Sequence, residues 1–202
     1  MSPPNAFAAA QLRQLVFYHL DNDLLENALF VAGRLHGLEP RNADTAHLLA
    51  LCNFRSGRLK AAYDYSREHG IRGRHLGCSY VFAQACLSLG RHADGIAALD
   101  RARGLWGGRS SWSEIIRVKS LGFGYTKCLI TDKHSDCARR QLPDAAAVNC
   151  LLGKLWRAHG DVKRAADCFV EALKLNPFMW DAFLELCDNT GRPHTCYQVN
   201  IN

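Results

Sequence analysis

The sequence has no run of about 18 apolar residues, the length that a membrane-spanning helix needs. Its first residues lack the basic segment followed by an apolar one that marks a secretory signal peptide. We therefore expect no membrane partner and no secretion. The nine cysteines are an odd number and stand mostly on apolar helical faces. This pattern indicates buried, reduced thiols in an intracellular compartment.

Motifs for metal, phosphate or catalytic chemistry are also missing. Four residues are candidate zinc ligands: Cys128, His134, Cys137 and Cys150. They are not arranged as the paired, short-spaced ligands of a structural zinc site, so we interpret them as loop and core residues. Gly122 and Gly124 lack the third glycine and the preceding strand of a phosphate-binding loop. Nothing positions a base or an oxyanion hole beside a cysteine. We expect no metal, no cofactor and no enzymatic activity.

The formal net charge of +6 favours acidic partners without identifying one. Two basic, loop-like stretches lie at residues 72–74 and 101–109, the second around Trp106. Arginine beside an aromatic ring suits single-stranded nucleic acid. Arginine is, however, mostly a solvated surface residue, and we therefore expect no nucleic-acid partner.

Residues 145–177 form the strongest pattern in the chain, which predicts one helix, a tight turn and a second helix. The residues that define it are Leu152, Gly153, Trp156, Ala165, Phe169, Ala172 and Pro177. Gly153 has no side chain, so the second helix can approach it closely, and Ala165 is the small residue that faces it. Pro177 cannot continue the second helix. This spacing is typical of a tetratricopeptide repeat; the alternative is an ordinary helical hairpin.

The same spacing recurs earlier in the chain. Ala28 and Pro40 are separated as Ala165 and Pro177 are. We predict repeats at about residues 9–42, 43–75, 76–102 and 144–177. Asp44 or Thr45 is expected to cap the first helix of the second repeat.

Two further segments complete the predicted architecture. Residues 103–143 break the rhythm with glycines and charges, so we expect an insertion that is partly disordered. Residues 180–190 are similar to the first helix of another repeat and are expected to cap the fourth. The predicted fold is an all-α, right-handed tetratricopeptide superhelix (an α-solenoid) with a C-terminal capping helix, in a single domain over residues 1–202.

Several stretches resemble one family beyond the generic repeat. They are residues 27–35 (NALFVAGRL), 46–63 (AHLLALCNFRSGRLKAAY) and 173–191 (LKLNPFMWDAFLELCDNTG). These stretches are similar to the N-terminal tetratricopeptide region of subunit three of the anaphase-promoting complex (cyclosome), a ubiquitin ligase of the cell-division cycle. The resemblance spans residues 9–100 and 144–191. It implies a non-catalytic scaffold, both nuclear and cytoplasmic, that pairs with itself and contacts other subunits of the complex.

The sequence departs from that family in three places. The segment 103–143 is longer than its counterpart, and residues 192–202 (RPHTCYQVNIN) do not resemble the family. The family also continues into a second repeat array that receives the Ile-Arg tails of co-activators. No residue of this chain matches that array, so the resemblance does not extend to that activity. A fragment and a shortened gene product both fit this pattern.

The first helices of the repeats are expected to line a concave, partner-binding groove. The residues predicted to face it are Arg13, Phe17, Phe54, Arg55, Tyr80, Gln84, Lys154 and Arg157. Arginine and aromatic residues are typical of interface hot spots, although each of these side chains has the alternative of contacting a neighbouring repeat. A second functional hypothesis is a monomeric, co-chaperone-like clamp for acidic C-termini. It requires cations on consecutive first helices, and the third repeat offers none.

The first helix of the first repeat carries several apolar residues close together. Leu12, Leu15 and Val16, with Phe17, present more apolar surface than one neighbouring helix covers. A second copy is the simplest cover, because a two-fold pairing closes on itself. We predict a homodimer built mainly from residues 7–60.

Overall fold

The computed structural model of the chain describes residues 3–107 and 142–190, with side chains over residues 6–107 and 142–188. Every regular element in these residues is a helix. Their contacts divide the chain into two compact units, Met1–Ala102 and Arg103–Asn202. The single domain over residues 1–202 therefore stays a prediction.

Three helical hairpins make up the first unit. The helices are α1 (Pro3–Asp21) and α2 (Leu25–Leu38), α3 (Ala43–Arg55) and α4 (Leu59–Ile71), and α5 (Leu76–Ser88) and α6 (His92–Arg101). Each helix packs against the next, and α3 also contacts α5. This arrangement buries two apolar clusters. One lies around Val16 and Leu35, and the other lies around Tyr63 and Phe82.

The second unit contains a short helix α7 (Arg103–Trp106), the hairpin of α8 (Ala145–His159) and α9 (Val162–Leu175), and α10 (Trp180–Thr190). Helix α10 packs mainly on α9 and also contacts α8. The predicted insertion begins with the helical turn α7 and not with a loop, because Trp106 is buried and Arg103 lies over its ring. The rest of the insertion, residues 108–141, lies outside the described residues.

The turn of each described hairpin contains one residue with a positive φ angle. These residues are Asp23, Gly57, Gly90 and Gly160. Gly160 has φ 98° and ends α8, where its N–H bonds to carbonyls of the last helical turn. A residue with a Cβ atom adopts this conformation at a cost, and glycine does not. The recurring turn residue explains why the hairpins could be found from spacing.

Helix α1 begins at Pro3, ahead of the repeat start predicted near Ala9; proline is tolerated in the first turn of a helix, where the N–H has no intrahelical partner. The predicted cap of α3 was wrong. The cap of α3 is Asn42, whose side-chain oxygen accepts a hydrogen bond from the N–H of Asp44 at 2.9 Å. The Thr45 hydroxyl instead donates to the Glu39 carbonyl at 2.9 Å.

The hairpin of α8 and α9 is packed around small residues. Leu152, Ala165, Phe169 and Ala172 are buried, and Trp156 packs at the edge of their cluster beneath the guanidinium of Arg164. Pro177 is exposed in the turn that follows α9. Helix α10 packs against this cluster through Ala182, Phe183 and Leu186.

Candidate protein-interaction site

An exposed apolar face lies on the first hairpin. On α1, Phe7 is 67 % exposed, Leu15 45 % and Tyr18 58 %. Their spacing of eight and eleven residues places them on one side of a helix with 3.6 residues per turn. Phe30 on α2 is 63 % exposed, with the guanidinium of Arg34 above its ring. We call Phe7, Leu15 and Tyr18 the α1 face.

The structure separates the residues predicted to form a dimer interface. Val16 is fully buried in the core of the first unit, so its side chain offers no surface to a partner. Leu12 and Phe17 are half-buried against the same core cluster. Leu15 presents an exposed side chain. Sequence reasoning missed Phe7, Tyr18 and Phe30, although the helical spacing from Phe7 to Tyr18 was a usable signal.

The predicted groove residues of α1 and α3 have different environments. A guanidinium nitrogen of Arg13 lies 3.4 Å from a carboxylate oxygen of Glu39, which is itself largely buried. Phe54 is half-buried against the second core cluster. Arg55 is exposed and borders an open cavity of about 510 Å³ beside the turn between α1 and α2. Of the two cations, Arg55 is more available to a partner than Arg13, which is paired with Glu39.

The predicted groove residues of α5 are less exposed. Tyr80 and Gln84 are both half-buried, one helical turn apart. Neither side chain carries a charge, so α5 contributes no cation at these positions. The structure thus brings Phe54 and the α5 residues into one unit, while Lys154 and Arg157 belong to the other.

Both predicted cations of α8 are paired with α10. The Nζ atom of Lys154 lies 2.8 Å from a carboxylate oxygen of Asp181, and Arg157 pairs with Glu185. Burial alone would lower the pKa of Lys154, but its hydrogen bond to Asp181 and the nearby negative groups raise it overall. Lys154 is therefore protonated, and Asp181 of the same chain compensates its positive charge.

Four buried cysteine thiols of the described helices are unsuited to nucleophilic chemistry. Burial raises the pKa of Cys52, Cys78 and Cys86 to about 12, and that of Cys150 to about 11. The thiolate is the reactive form, so these groups are inert near neutral pH.

Neither a clustered metal-ligand set nor a spanning helix occurs within residues 3–107 and 142–190. No group of three His, Cys, Asp or Glu residues there is placed to hold a metal ion. Cys128, His134 and Cys137 lie outside these residues. The same ranges contain no helix that is both long and apolar enough to cross a membrane.

Comparison with known proteins places these helices in a family. Residues 21–102 match the family model "Anaphase-promoting complex, cyclosome, subunit 3". The protein bimA of Emericella nidulans is 52 % identical over 188 residues, which are 93 % of this chain and 21 % of bimA. The chain belongs to the anaphase-promoting complex subunit 3 family.

Further comparisons agree with this assignment. Anaphase-promoting complex subunit 3 of Schizosaccharomyces pombe is 31 % identical over 179 residues, covering 87 % of this chain and 23 % of that protein. The chain thus spans about a fifth of the length of these relatives. A solved structure of pilF from Pseudomonas aeruginosa aligns with a TM-score of 0.65 at 16 % identity, over 93 % of this chain and 70 % of that one. That likeness shows the fold alone, and the fold is the tetratricopeptide one.

Proposed function

We propose that this chain is a non-catalytic scaffold region of the anaphase-promoting complex, acting in the nucleus and cytoplasm in cell-cycle control. It contacts other subunits of the ubiquitin ligase and pairs with a second copy of itself. Membership of the subunit 3 family supports the assembly role.

The α1 face is the observation that supports pairing. Phe7, Leu15 and Tyr18 lie on one side of α1, and Phe30 is exposed on the neighbouring helix. A large exposed apolar side chain gains roughly 1.5–3 kcal/mol when it is fully buried. In a two-fold pair the same residues of both copies are covered at once. Val16 and Phe17 support this surface from inside the unit.

The test is the mass of the protein in solution. Leu15→Glu with Tyr18→Glu places two charges on the α1 face without touching the core, so the variant should be monomeric and still helical. Leu89→Glu with Leu105→Glu is the matched control, because both leucines have similar exposure to Leu15 but lie elsewhere. A dimer with a Kd of about 1 μM is mostly formed at tens of micromolar protein. Sedimentation equilibrium at that concentration should therefore show a dimer for the wild type and for the control.

A wild-type protein that sediments as a monomer at that concentration would contradict the pairing. A monomeric peptide clamp is disfavoured by the ion pairs of α8, because Lys154 and Arg157 are occupied by acidic residues of α10. It is disfavoured further by α5, because Tyr80 and Gln84, the residues predicted to face the groove there, carry no charge.

A further inference from the structure

The structure brings together parts of the two basic stretches that are far apart in the sequence. The turn after α4 carries Arg72 and Arg74 on either side of Gly73, and α6 ends at Arg101. Gly73 has φ 61°, and a Cβ atom built on it would lie 2.7 Å from the backbone carbonyl carbon of Arg101. The turn therefore packs directly on the end of α6, which places three arginines around one glycine. We call Arg72, Arg74 and Arg101 the arginine cluster.

All three arginines of the cluster are exposed and are only weakly engaged by the chain. Arg74 has no ion-pair partner among the described residues. Arg72 lies 3.6 Å from a carboxylate oxygen of Glu68, but both side chains of that pair are more than half exposed, and such pairs contribute little. A guanidinium nitrogen of Arg101 donates to the Ile71 carbonyl at 3.1 Å, which holds the group in place and leaves its other N–H donors for a ligand.

The charge around the cluster stays positive when its neighbours are counted. Residues 67–75 and 100–102 contain four arginines against two carboxylates, Glu68 and Asp100. The carboxyl ends of α4 and α6 contribute about half a negative charge each. An excess of roughly one positive charge is left after both contributions. The turn at Gly73 is therefore an attractive position for an anion.

The residue type narrows the chemistry of that anion. A planar guanidinium presents paired N–H donors that match the oxygens of a phosphate or a carboxylate. A phosphate monoester carries a charge of about −1.5 to −2 at neutral pH and three acceptor oxygens, so it can bond to several guanidinia at once. A carboxylate carries a single charge. Recognition of phosphorylated segments by arginine clusters is a recurring mode of binding, and this cluster favours phosphate.

Nucleic acids also carry phosphates, but the surroundings of the cluster favour a protein ligand. Single strands bind along a groove of cations that also presents aromatic rings to the bases. The aromatic ring of the second basic stretch, Trp106, is only 4 % exposed and is therefore not accessible for stacking. The cluster is one compact group of cations around a turn, which suits a single phosphate better than a row of them.

We propose that the arginine cluster binds a phosphorylated side chain in a segment of a partner protein. This site lies in the first unit, goes beyond the scaffold role and does not depend on the pairing proposed for the α1 face.

A short phosphoserine peptide provides the probe. Acetyl-Gly-Ala-phosphoserine-Ala-Gly-amide is titrated into the full chain by calorimetry at low ionic strength, where exposed charges are least screened. We expect a Kd of about 0.1–1 mM. Arg74→Gln should weaken binding at least about fivefold, because a charge-assisted hydrogen bond is lost. Its melting temperature should stay that of the wild type, since Arg74 makes no ion pair among the described residues.

Arg41→Gln is the matched control. Arg41 precedes the cap of α3 as Arg74 precedes the cap of α5, and it is also exposed. It lies outside the cluster, so the same change of charge there should alter the Kd by less than about twofold. Replacing phosphoserine by serine in the peptide should abolish binding, and replacing it by glutamate should weaken binding strongly.

Five outcomes would overturn the proposal. The first is the absence of binding at about 5 mM phosphopeptide, some fivefold above the weakest expected Kd. The second is equal weakening by Arg41→Gln and Arg74→Gln, which would indicate general charge attraction. The third is equal binding of the glutamate peptide. The fourth is tighter binding of a single-stranded oligothymidylate that is lost in Arg74→Gln, which would make nucleic acid the occupant. The fifth is a lower melting temperature of Arg74→Gln with unchanged binding, which would assign the cluster to stability alone.

Discussion

The ring of Phe169 lies against the backbone of Gly153, where a Cβ atom would come within 2.4 Å of a ring carbon. Gly153 stands in the middle of α8 and Phe169 in the middle of α9. Atoms of a real side chain do not approach this closely, so any larger residue at Gly153 must move the ring or separate the helices. This single contact sets the distance between the two helices on which α10 rests.

Gly153→Ala should therefore destabilise the protein, although alanine is the better helix former. Overpacking of this kind costs about 1–3 kcal/mol, and Gly153→Leu should cost more. Thermal unfolding followed by circular dichroism measures the loss. Gly33→Ala is the control, because Gly33 is exposed within α2 and a Cβ atom added there would meet no atom within 4 Å. That change should be neutral or stabilising by up to about 1 kcal/mol. Equal melting shifts for the two variants would contradict this packing.

The same contact shows which features could be predicted from the sequence. Gly153, Phe169 and the turn glycine Gly160 follow from local spacing, because a helical hairpin needs a small residue, a filling residue and a left-handed turn at fixed intervals. The pairing of Lys154 with Asp181 joins residues 27 positions apart, and it depends on how α10 settles on α8. Local patterns do not contain that information.

The exposed face of the first hairpin was missed for a different reason. The sequence groups Leu12, Leu15, Val16 and Phe17 by their apolar character, although consecutive residues of a helix point in different directions. In the structure Leu15 is exposed and Val16 is fully buried. Which of these neighbours faces the core depends on how α2 and α3 pack against α1, and local composition does not contain that information.

His47 should make the stability of the first unit depend on pH. Its side chain is buried, and a Cβ on Gly77 would lie 2.7 Å from its ring. Neither ring nitrogen makes a well-formed hydrogen bond to a described residue, although the Gly77 backbone lies beside the ring. Burial, with the nearby His75, lowers the pKa of His47 from 6.5 to about 3.

The direction of the pH effect follows from that pKa. Between pH 3 and 6.5 the unfolded chain binds a proton at His47 that the folded chain does not, so stability falls as the pH drops through 6.5 and is fully present above it. The limiting slope is about 1.4 kcal/mol per pH unit. Urea unfolding from pH 7.5 to 5 should show this slope in the wild type, and His47→Leu should flatten it. A variant with an unchanged slope would assign the effect to other groups, such as His36, whose pKa burial also lowers.

The thiols of Cys52, Cys78, Cys86 and Cys150 should resist alkylation in the folded protein. Burial keeps their pKa values well above neutrality, and only the thiolate reacts readily. Mass spectrometry after iodoacetamide treatment at pH 7.5 should find these four unmodified, and all four modified in urea. Rapid labelling of Cys78 in the native protein would mean that the contact between α3 and α5 opens frequently.

The ion pairs between α8 and α10 should decide whether the second unit binds acidic peptides. Lys154 is held by Asp181, and Arg157 by Glu185, whose side chain is only 15 % exposed. In the wild type both cations are neutralised, so an octapeptide ending in two glutamates should not bind measurably by calorimetry. Asp181→Asn with Glu185→Gln removes the competing charges while keeping side-chain size. This variant should bind the peptide at least tenfold more tightly than the wild type, with an affinity that falls as salt is added.

Two matched variants make this prediction decisive. Adding Lys154→Ala to the double variant should abolish the gained binding, because the freed cation is then lost. Asp167→Asn with Glu171→Gln changes the charge by the same amount at exposed positions of α9, and it should gain nothing if the effect is local. Tight binding of the peptide by the wild type, together with loss of that binding in the single variant Lys154→Ala, would show that the ion pairs with α10 open easily. The peptide-clamp function would then be favoured over the scaffold for this unit.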